Sequence, residues 1–435
     1  MPPSCPTDMF TLILPHLSFN DVMRCTLVCK EWKNAPQYFV MKHTITIHYL
    51  PAQLAMLQRI KVEGLKIFSR RDVNRFLPLY NSFFSHTKDL RLWVEEESVL
   101  RLSNTSEKRT ANDLQLMATV SNRAEELVGT MVSGLLFHSL QRLEIGNLVL
   151  SPKACELFAT VIGSMPMLHA LQLHYMVFTN GNDGCVWDAI HSRVKLESLR
   201  IVVVKGQTSF QRVPPNLKSL DVHRIGLTGN NAVEVIRTLP VHSTESVVIH
   251  GFWNDLRAAE ADLFNYNQMH FAHLATMHTL QLQDVDMLPG DFRMLLRNLP
   301  STLKRLIVAC NMLGGNGLSR AFEDDVALPS GLKWLDLSSN FLTTRDIRCG
   351  VVPHCMKNIE TLILDGNDEM FGSMCPSPIH TMVFCDVVQA HSDQKTLKRI
   401  SCKNCGWDRV NPATRQPWYP ELLGMTADVA AWNRV

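Results

Sequence analysis

A pattern of apolar positions recurs along most of this chain. It is clearest at residues 332–340, which read Leu-x-x-Leu-x-Leu-x-x-Asn, and it returns with one conservative change each at 303–311 and 359–367. Weaker copies of its first half begin at Leu140, Leu168, Leu196, Leu217, Thr244, Met277 and Leu397. Because most starts are separated by roughly 26 to 29 residues, the pattern predicts a stacked array of similar units.

Each unit is expected to contain a strand, a turn and a helix. Leu335 and Leu337 are two residues apart, so they share one face of an extended strand and the residues between and after them face the other way. Asn340 closes the strand, where its amide can bond turn backbone. The remainder has helical features: Ser151 suits an N-cap and Pro152 the first helical position.

These repeats resemble the long leucine-rich repeats of ribonuclease-inhibitor-like proteins, most strongly at residues 303–367 and also at 140–225. The resemblance implies an α/β solenoid of horseshoe shape, with parallel strands on the concave side and helices on the convex side. Several copies depart from the family at the asparagine position, which is occupied there by Met176, Val204, Ile225, Val285 and Cys405.

Residues 5–35 follow a different pattern. Met9, Ile13 and Leu17 are spaced four apart, which places them on one side of a predicted helix, and a second amphipathic segment ends in Val-Cys-Lys-Glu-Trp at 28–32. This order resembles the F-box, with Cys5 in place of the usual leucine and Pro15 inside the first helix. By that resemblance, the adaptor-binding positions are Pro6, Met9, Ile13, Leu17, Val22, Val28, Cys29 and Trp32.

An F-box-like head directly before leucine-rich repeats resembles the substrate receptors of cullin–RING (SCF-type) ubiquitin ligases. The resemblance implies that the head binds a Skp-type adaptor of the cullin–RING complex and that the repeats hold a protein target. Catalysis then belongs to other subunits, so this chain is expected to be non-enzymatic.

Other interpretations stay open at this stage. The chain can be a leucine-rich scaffold, or a regulator of a small GTPase, whose head only caps the solenoid. An enzyme within residues 36–135 is a third alternative, although that region lacks paired acid–base or nucleophile motifs.

The patterns divide the chain into four predicted parts. These are a helical head at 1–40, irregular early repeats at 41–139 with a polar insertion at 95–113, a solenoid at 140–405, and a C-terminal cap at 406–435 that contains Trp407, Trp418 and Trp432. Further exposed insertions are expected at 177–195, 251–271 and 368–392.

The composition of the chain limits the classes of partner and the cellular compartment that we expect. A net charge of +2 gives no electrostatic case for nucleic acid or anionic membrane, and no signal sequence or membrane-spanning run is recognised. The twelve cysteines lack a disulfide-domain spacing, which favours a reducing compartment, cytoplasm or nucleus.

Two motifs that could suggest cofactor chemistry have simpler interpretations. Cys402-x-x-Cys405 has no second cysteine pair at a zinc-site spacing, so packing is favoured there, and Cys310 is also expected at an apolar repeat position. The glycines at 314–317 lack the ending of a phosphate loop and indicate a tight turn into a helix. No cofactor or metal is predicted.

The outward strand positions, on the concave face, or the adjoining insertions are the predicted target-binding surface. Aligned repeats place His174, His223 and His250 at one solvent-facing position, with His223 beside His250. Solvated histidines without a binding role are the simpler alternative. The candidate substrate-binding residues are His174, Arg200, Asp221, His223, His250, Gln281, Asp336 and Asp365, and the same face carries Glu144, Gln172 and Lys403.

Overall fold

The computed structural model describes the chain in separate ranges. They are 40–47, 61–69, 88–94, 137–179, 183–205, 210–225, 234–251, 270–323, 326–367, 396–402 and 405, with several residues between 122 and 132. The predicted head with all its adaptor-binding positions, the insertions at 95–113 and 368–392, almost all of the insertion at 251–271, Lys403 and the cap at 406–435 lie outside the described residues.

Internal contacts divide the chain into two compact units. The first comprises residues 1–217 and 224–227, and the second comprises residues 218–223 and 228–435. Within the described ranges, no helix combines the length and apolar character needed to cross a membrane.

The first unit contains a sheet of parallel strands that follow one another in chain order. They are β1 (Val40–Ile47), β2 (Lys61–Ser69), β3 (Asp89–Val94), β4 (Arg142–Leu150), β5 (Ala170–Phe178) and β6 (Ser198–Lys205). Helix α1 (Pro152–Gly163) follows β4, and α2 (Gly184–His191) follows β5. The predicted N-cap is confirmed, since the Ser151 hydroxyl accepts a hydrogen bond from the Ala154 amide at 3.1 Å.

The second unit repeats this arrangement with shorter strands. They are β7 (Ser219–Ile225), β8 (Ser246–His250), β9 (Thr279–Gln283), β10 (Arg305–Ile307), β11 (Trp334–Asp336), β12 (Thr361–Ile363) and β13 (Arg399–Ser401). Neighbours are again parallel and in chain order. The helices are α3 (Pro289–Arg297), α4 (Leu318–Ala321) and α5 (Thr344–Asp346), the last continuing as a π-helical segment at Ile347–Cys355. The predicted α/β class, with an open parallel sheet, is confirmed.

The register of the strands is the one that the repeat pattern predicts. In the second unit Val247 pairs with Leu220 on one side and Leu280 on the other, so the copy that begins at Thr244 is in register. Every predicted repeat start from Leu140 to Leu397 is buried, and the paired leucines behind the strands form the core.

A buried asparagine closes three of the strands. The Asn311 Oδ1 atom accepts hydrogen bonds from the Val285 and Met287 amides at 3.0 and 3.1 Å, while its Nδ2 donates to the Leu282 and Ala309 carbonyls. Asn367 does the same for the preceding turn, as described below. These side chains satisfy backbone groups that no strand partner reaches.

The last copy replaces the amide by a thiol. The Cys405 Sγ lies 3.0 Å from the Leu364 carbonyl, to which it donates, and is buried. Cys402 is half-buried beside it, and burial, followed by Cys405 and Asp365, raises the pKa of the Cys402 thiol well above its usual value. The packing interpretation of this pair is therefore supported.

A left-handed residue precedes the asparagine position in both units. Its φ is 53° at Ser339 and 70° at Gly366, and the same conformation occurs where an apolar side chain replaces the amide, as at Tyr175 before Met176. We call this left-handed residue and the one after it the left-handed corner. Met176 and Val204 are buried and pair with each other, so β5 and β6 continue through the corner. The corner is thus a property of the repeat, and the asparagine is one way of filling it.

Two expectations about exposure were wrong. Cys310 does not lie at an apolar position but is exposed at the left-handed corner, with φ of 55°. The segment 177–195 is not a polar insertion throughout, because α2 occupies its centre. Trp187 is buried there, and its indole donates to the buried Asp183 carboxylate at 2.5 Å. The structure also adds β2, which the sequence pattern did not indicate.

We expect Asn367→Ala to lower the free energy of unfolding by about 3 kcal/mol, because it strands several buried backbone groups at a cost of about 1–3 kcal/mol each. Denaturant titration followed by circular dichroism measures the change. The matched control is Asn216→Ala, which removes one bond from an exposed side chain to the Val194 carbonyl and is expected to change stability by less than about 0.5 kcal/mol. Equal midpoints for the two variants contradict a structural role for the amide.

Candidate binding face

The outward side chains of the strands form two polar surfaces, one in each unit. His174 and Arg200 belong to the first, on β5 and β6. The second contains the other six candidates, Asp221, His223, His250, Gln281, Asp336 and Asp365. Alternation along each strand places these residues opposite the buried leucines.

The histidines of β7 and β8 are adjacent, as the alignment predicted. His223 and His250 are register partners, their Nδ1 atoms are 3.0 Å apart, and their ring centroids are separated by 5.0 Å. The Nε2 atom of His223 lies 2.5 Å from Oδ1 of Asp221. Which of the two Nδ1 atoms donates depends on the tautomers of the rings, and His223 pairs electrostatically with Asp221 when its imidazole is protonated. The three side chains are therefore in contact across two neighbouring strands.

His174 differs from the other two histidines. It is 8% exposed, so the expectation of a solvent-facing position was wrong for it. Its Nε2 is 4.0 Å from Oε1 of Glu144, whose other oxygen is 3.5 Å from the Arg91 guanidinium. Arg91 also contacts Asp89 at 3.4 Å. The first unit therefore has a compact charged cluster where solvated side chains were expected.

Serine and glutamine side chains orient three further candidates, Asp336, Asp365 and Gln281. The Ser338 amide and hydroxyl both donate to Oδ1 of Asp336, at 2.9 and 2.5 Å. The Ser401 hydroxyl donates to Asp365 at 2.7 Å, and the Gln281 Nε2 donates to the side-chain Oε1 of Gln283 at 2.9 Å. Each carboxylate or amide is oriented by a neighbour and remains half-exposed, which suits recognition of a polar ligand.

Sequence reasoning missed two features at the amino-terminal ends of the strands. The Arg305 guanidinium stacks over the Trp334 ring at 4.6 Å from its centroid. Glu360 lies between two lysines, with Lys333 at 2.8 Å and Lys398 at 2.7 Å. Hydrogen bonds from Lys333 and then Lys398 lower the pKa of Glu360 to about 2. Alternating lysine and glutamate just before successive strands is the signal that could have predicted this bridge.

The other side-chain clusters and the cavity of the described residues give little indication of a metal site or a reactive group. Among the described residues, no cluster of three or more His, Cys, Asp or Glu is arranged to hold a metal ion. A cavity of about 410 Å³ in the first unit is lined by residues that include Glu125, Lys153 and Leu157, and none of the eight candidate substrate-binding residues, all of them described, is among the lining residues. Burial raises the pKa of the Cys155 thiol to about 12, which makes it unreactive. The geometry supports binding by hydrogen bonds and charge.

Comparison with known proteins identifies the head. Residues 3–40 match the F-box domain, a range that includes all eight predicted adaptor-binding positions. The match supports an F-box protein with this domain at its N-terminal side. F-box domains bind Skp-type adaptors in cullin–RING ligases and are typically non-catalytic. The search of curated proteins found no match. The roles of the individual head residues stay predictions.

Replacing both lysines, Lys333→Met with Lys398→Met, is expected to raise the pKa of Glu360 toward the ordinary glutamate value of about 4.3. NMR titration of the side-chain carboxyl measures it, and Lys304→Met, which removes an exposed lysine of the neighbouring repeat, is the control. Because the folded-state pKa is the lower one, the bridge stabilises the protein above pH about 4.3 and loses its effect toward pH 2. An unchanged titration in the double variant contradicts the bridge.

Proposed function

We propose that this protein is a substrate-recognition subunit of an SCF-type ubiquitin ligase. The observation that carries the proposal is the F-box match at residues 3–40 directly ahead of a regular array of parallel strands. In this role the head binds a Skp-type adaptor, and through it a cullin–RING complex. The repeats hold a protein target near the ubiquitin-charged enzyme, so the contribution of this chain is proximity.

We infer that the array is a leucine-rich-repeat solenoid of the ribonuclease-inhibitor-like type. Three features support this: one strand per repeat, the left-handed corner, and buried asparagines that bond the neighbouring turn. The division into a head at 1–40, early repeats at 41–139, a solenoid at 140–405 and a cap at 406–435 belongs to the same proposal.

The target is assigned to the outward face of the strands. The residues proposed to contact it are His174, Arg200, Asp221, His223, His250, Gln281, Asp336 and Asp365. Their mixed charges and amides suit a protein segment better than a polymer of one charge sign. None of the described cysteines is disulfide-bonded, which supports action in the cytoplasm or nucleus.

We expect the full chain to bind purified Skp-type adaptor and the Val28→Asp/Trp32→Ala double variant to lose that binding, because both positions fall in the matched domain and apolar contacts dominate such interfaces. A pull-down with immobilised adaptor measures it. Val194→Asp, at an exposed apolar position of the repeats, is the matched control and should bind normally.

A circular-dichroism melt of all three proteins checks that the repeats remain folded. Absence of adaptor binding by the wild-type chain would reject the receptor role and leave a leucine-rich scaffold with a capping head. Binding that survives the double variant would reject the assignment of the head residues.

A further inference from the structure

Exposed large apolar side chains concentrate in one part of the second unit. Among the described residues, five large hydrophobic side chains are exposed, and three of them lie on successive turns that follow β9, β10 and β11. These are Leu288 at 50%, Met312 at 49% and Phe341 at 66% exposure. We call these three residues the apolar edge.

Backbone hydrogen bonds make the apolar edge continuous. The Met312 amide donates to the Met287 carbonyl at 2.9 Å, which joins the first two turns. The Gly314 amide donates to the Asn340 carbonyl at 2.9 Å, which joins the second and third. A side chain at Gly314 would collide with the Phe341 carbonyl, so the turns are in close contact.

Phe341 is held in a costly conformation. Its φ of 56° lies in the left-handed region, where a bulky side chain is a clear outlier. The flanking amides of Asn340 and Leu342 both donate to Oδ1 of the buried Asn367, at 2.8 and 3.1 Å. This clamp fixes the turn with the phenyl ring directed away from the core. Strained backbone that presents an exposed side chain is typical of functional sites.

The surroundings of the apolar edge are acidic. Asp284 and Asp286 are exposed on the turn that leads to Leu288, and Asp336 is oriented by Ser338 on the adjoining sheet face. No described lysine or arginine forms an ion pair with these three carboxylates. Asp336 also lies between two apolar register partners, Ile307 and Ile363.

Basic residues are few on the outward face of β9 to β12. On β9 to β12 the one basic outward residue is Arg305, which lies at the amino-terminal end and stacks on Trp334. The lysines before β11 and β13 are engaged by Glu360. The carboxyl-terminal half of this face therefore combines exposed apolar surface with carboxylates that no described lysine or arginine pairs with.

We propose that the apolar edge, together with Asp336, binds a short protein segment that carries a large apolar side chain next to lysine or arginine. Charge complementarity selects this occupant, because the same carboxylates repel nucleic acid and anionic lipid headgroups. The inference rests on the proposed function to the extent that the segment belongs to a ubiquitination target.

The test uses the full chain and fluorescein-labelled synthetic peptides in anisotropy titrations. One pool has a central Leu or Phe flanked by Lys and Arg, a second has the same centre flanked by Asp and Glu, and a third has a central Ala flanked by Lys and Arg. The first pool should bind at least about tenfold more tightly than either of the others, and added salt should weaken its binding.

Phe341→Gly is the decisive variant. Because glycine adopts the left-handed conformation without strain, this change should raise the denaturation midpoint while it weakens binding of the first pool by about tenfold. Asp336→Asn should weaken binding less, and mainly at low salt. Val194→Ser, at an exposed apolar residue outside the edge, should leave binding unchanged.

Equal binding of the basic and acidic pools, or unchanged binding by Phe341→Gly, would overturn the inference. Light scattering that shows a dimer of the wild-type chain, broken by Phe341→Gly, would also overturn it by identifying a second copy as the occupant. Selective peptide binding without adaptor binding would reject the proposed function and retain this site. Adaptor binding without peptide selectivity would do the reverse.

Discussion

The structure depends on how each repeat satisfies its backbone after a strand ends. A parallel strand can share its amides and carbonyls with two neighbours, but the turn that follows has no such partners and is buried. In the second unit the asparagine side chain bonds the turn of the preceding repeat, as Asn311 does for the residues around Asp286. The left-handed corner that precedes it directs the chain out of the sheet. These two features set the spacing that lets the leucines stack.

The same interaction explains a difference between neighbouring turns. Asp286 and Phe341 are left-handed, and in each case the next asparagine accepts hydrogen bonds from both flanking amides. Met312 occupies the equivalent place, yet its φ is not positive, and Oδ1 of Asn340 has no hydrogen-bond partner among the described residues. The exposed residue after each strand thus has a positive φ where the asparagine side chain of the next repeat accepts hydrogen bonds from the amides on either side of it.

The sequence pattern predicted those features of the fold that depend on the spacing of the repeats. The register of the strands and the contact between His223 and His250 both follow from counting along the repeats. It did not predict β2, whose segment lacks the full leucine pattern, or α2, whose short amphipathic segment was interpreted as polar. Alignment of the repeats also did not predict that His174 is buried, beside Glu144 of the neighbouring strand. The buried Asp346, which caps its own helix and bonds the Asn316 and Leu318 amides, was also missed.

The buried clamp and the exposed edge are therefore two sides of one arrangement. If the Asn367 side chain served only to complete the core, glycine or a small polar residue would be favoured at position 341, where its hydrogen bonds impose a left-handed backbone. The chain instead has phenylalanine there, with most of its surface exposed, at a cost of about 1–2 kcal/mol. Neither burial nor backbone bonding is gained by that ring, since the bonds are made by the flanking residues. Because the strain gives no benefit to the isolated fold, its benefit is expected in a contact with another molecule.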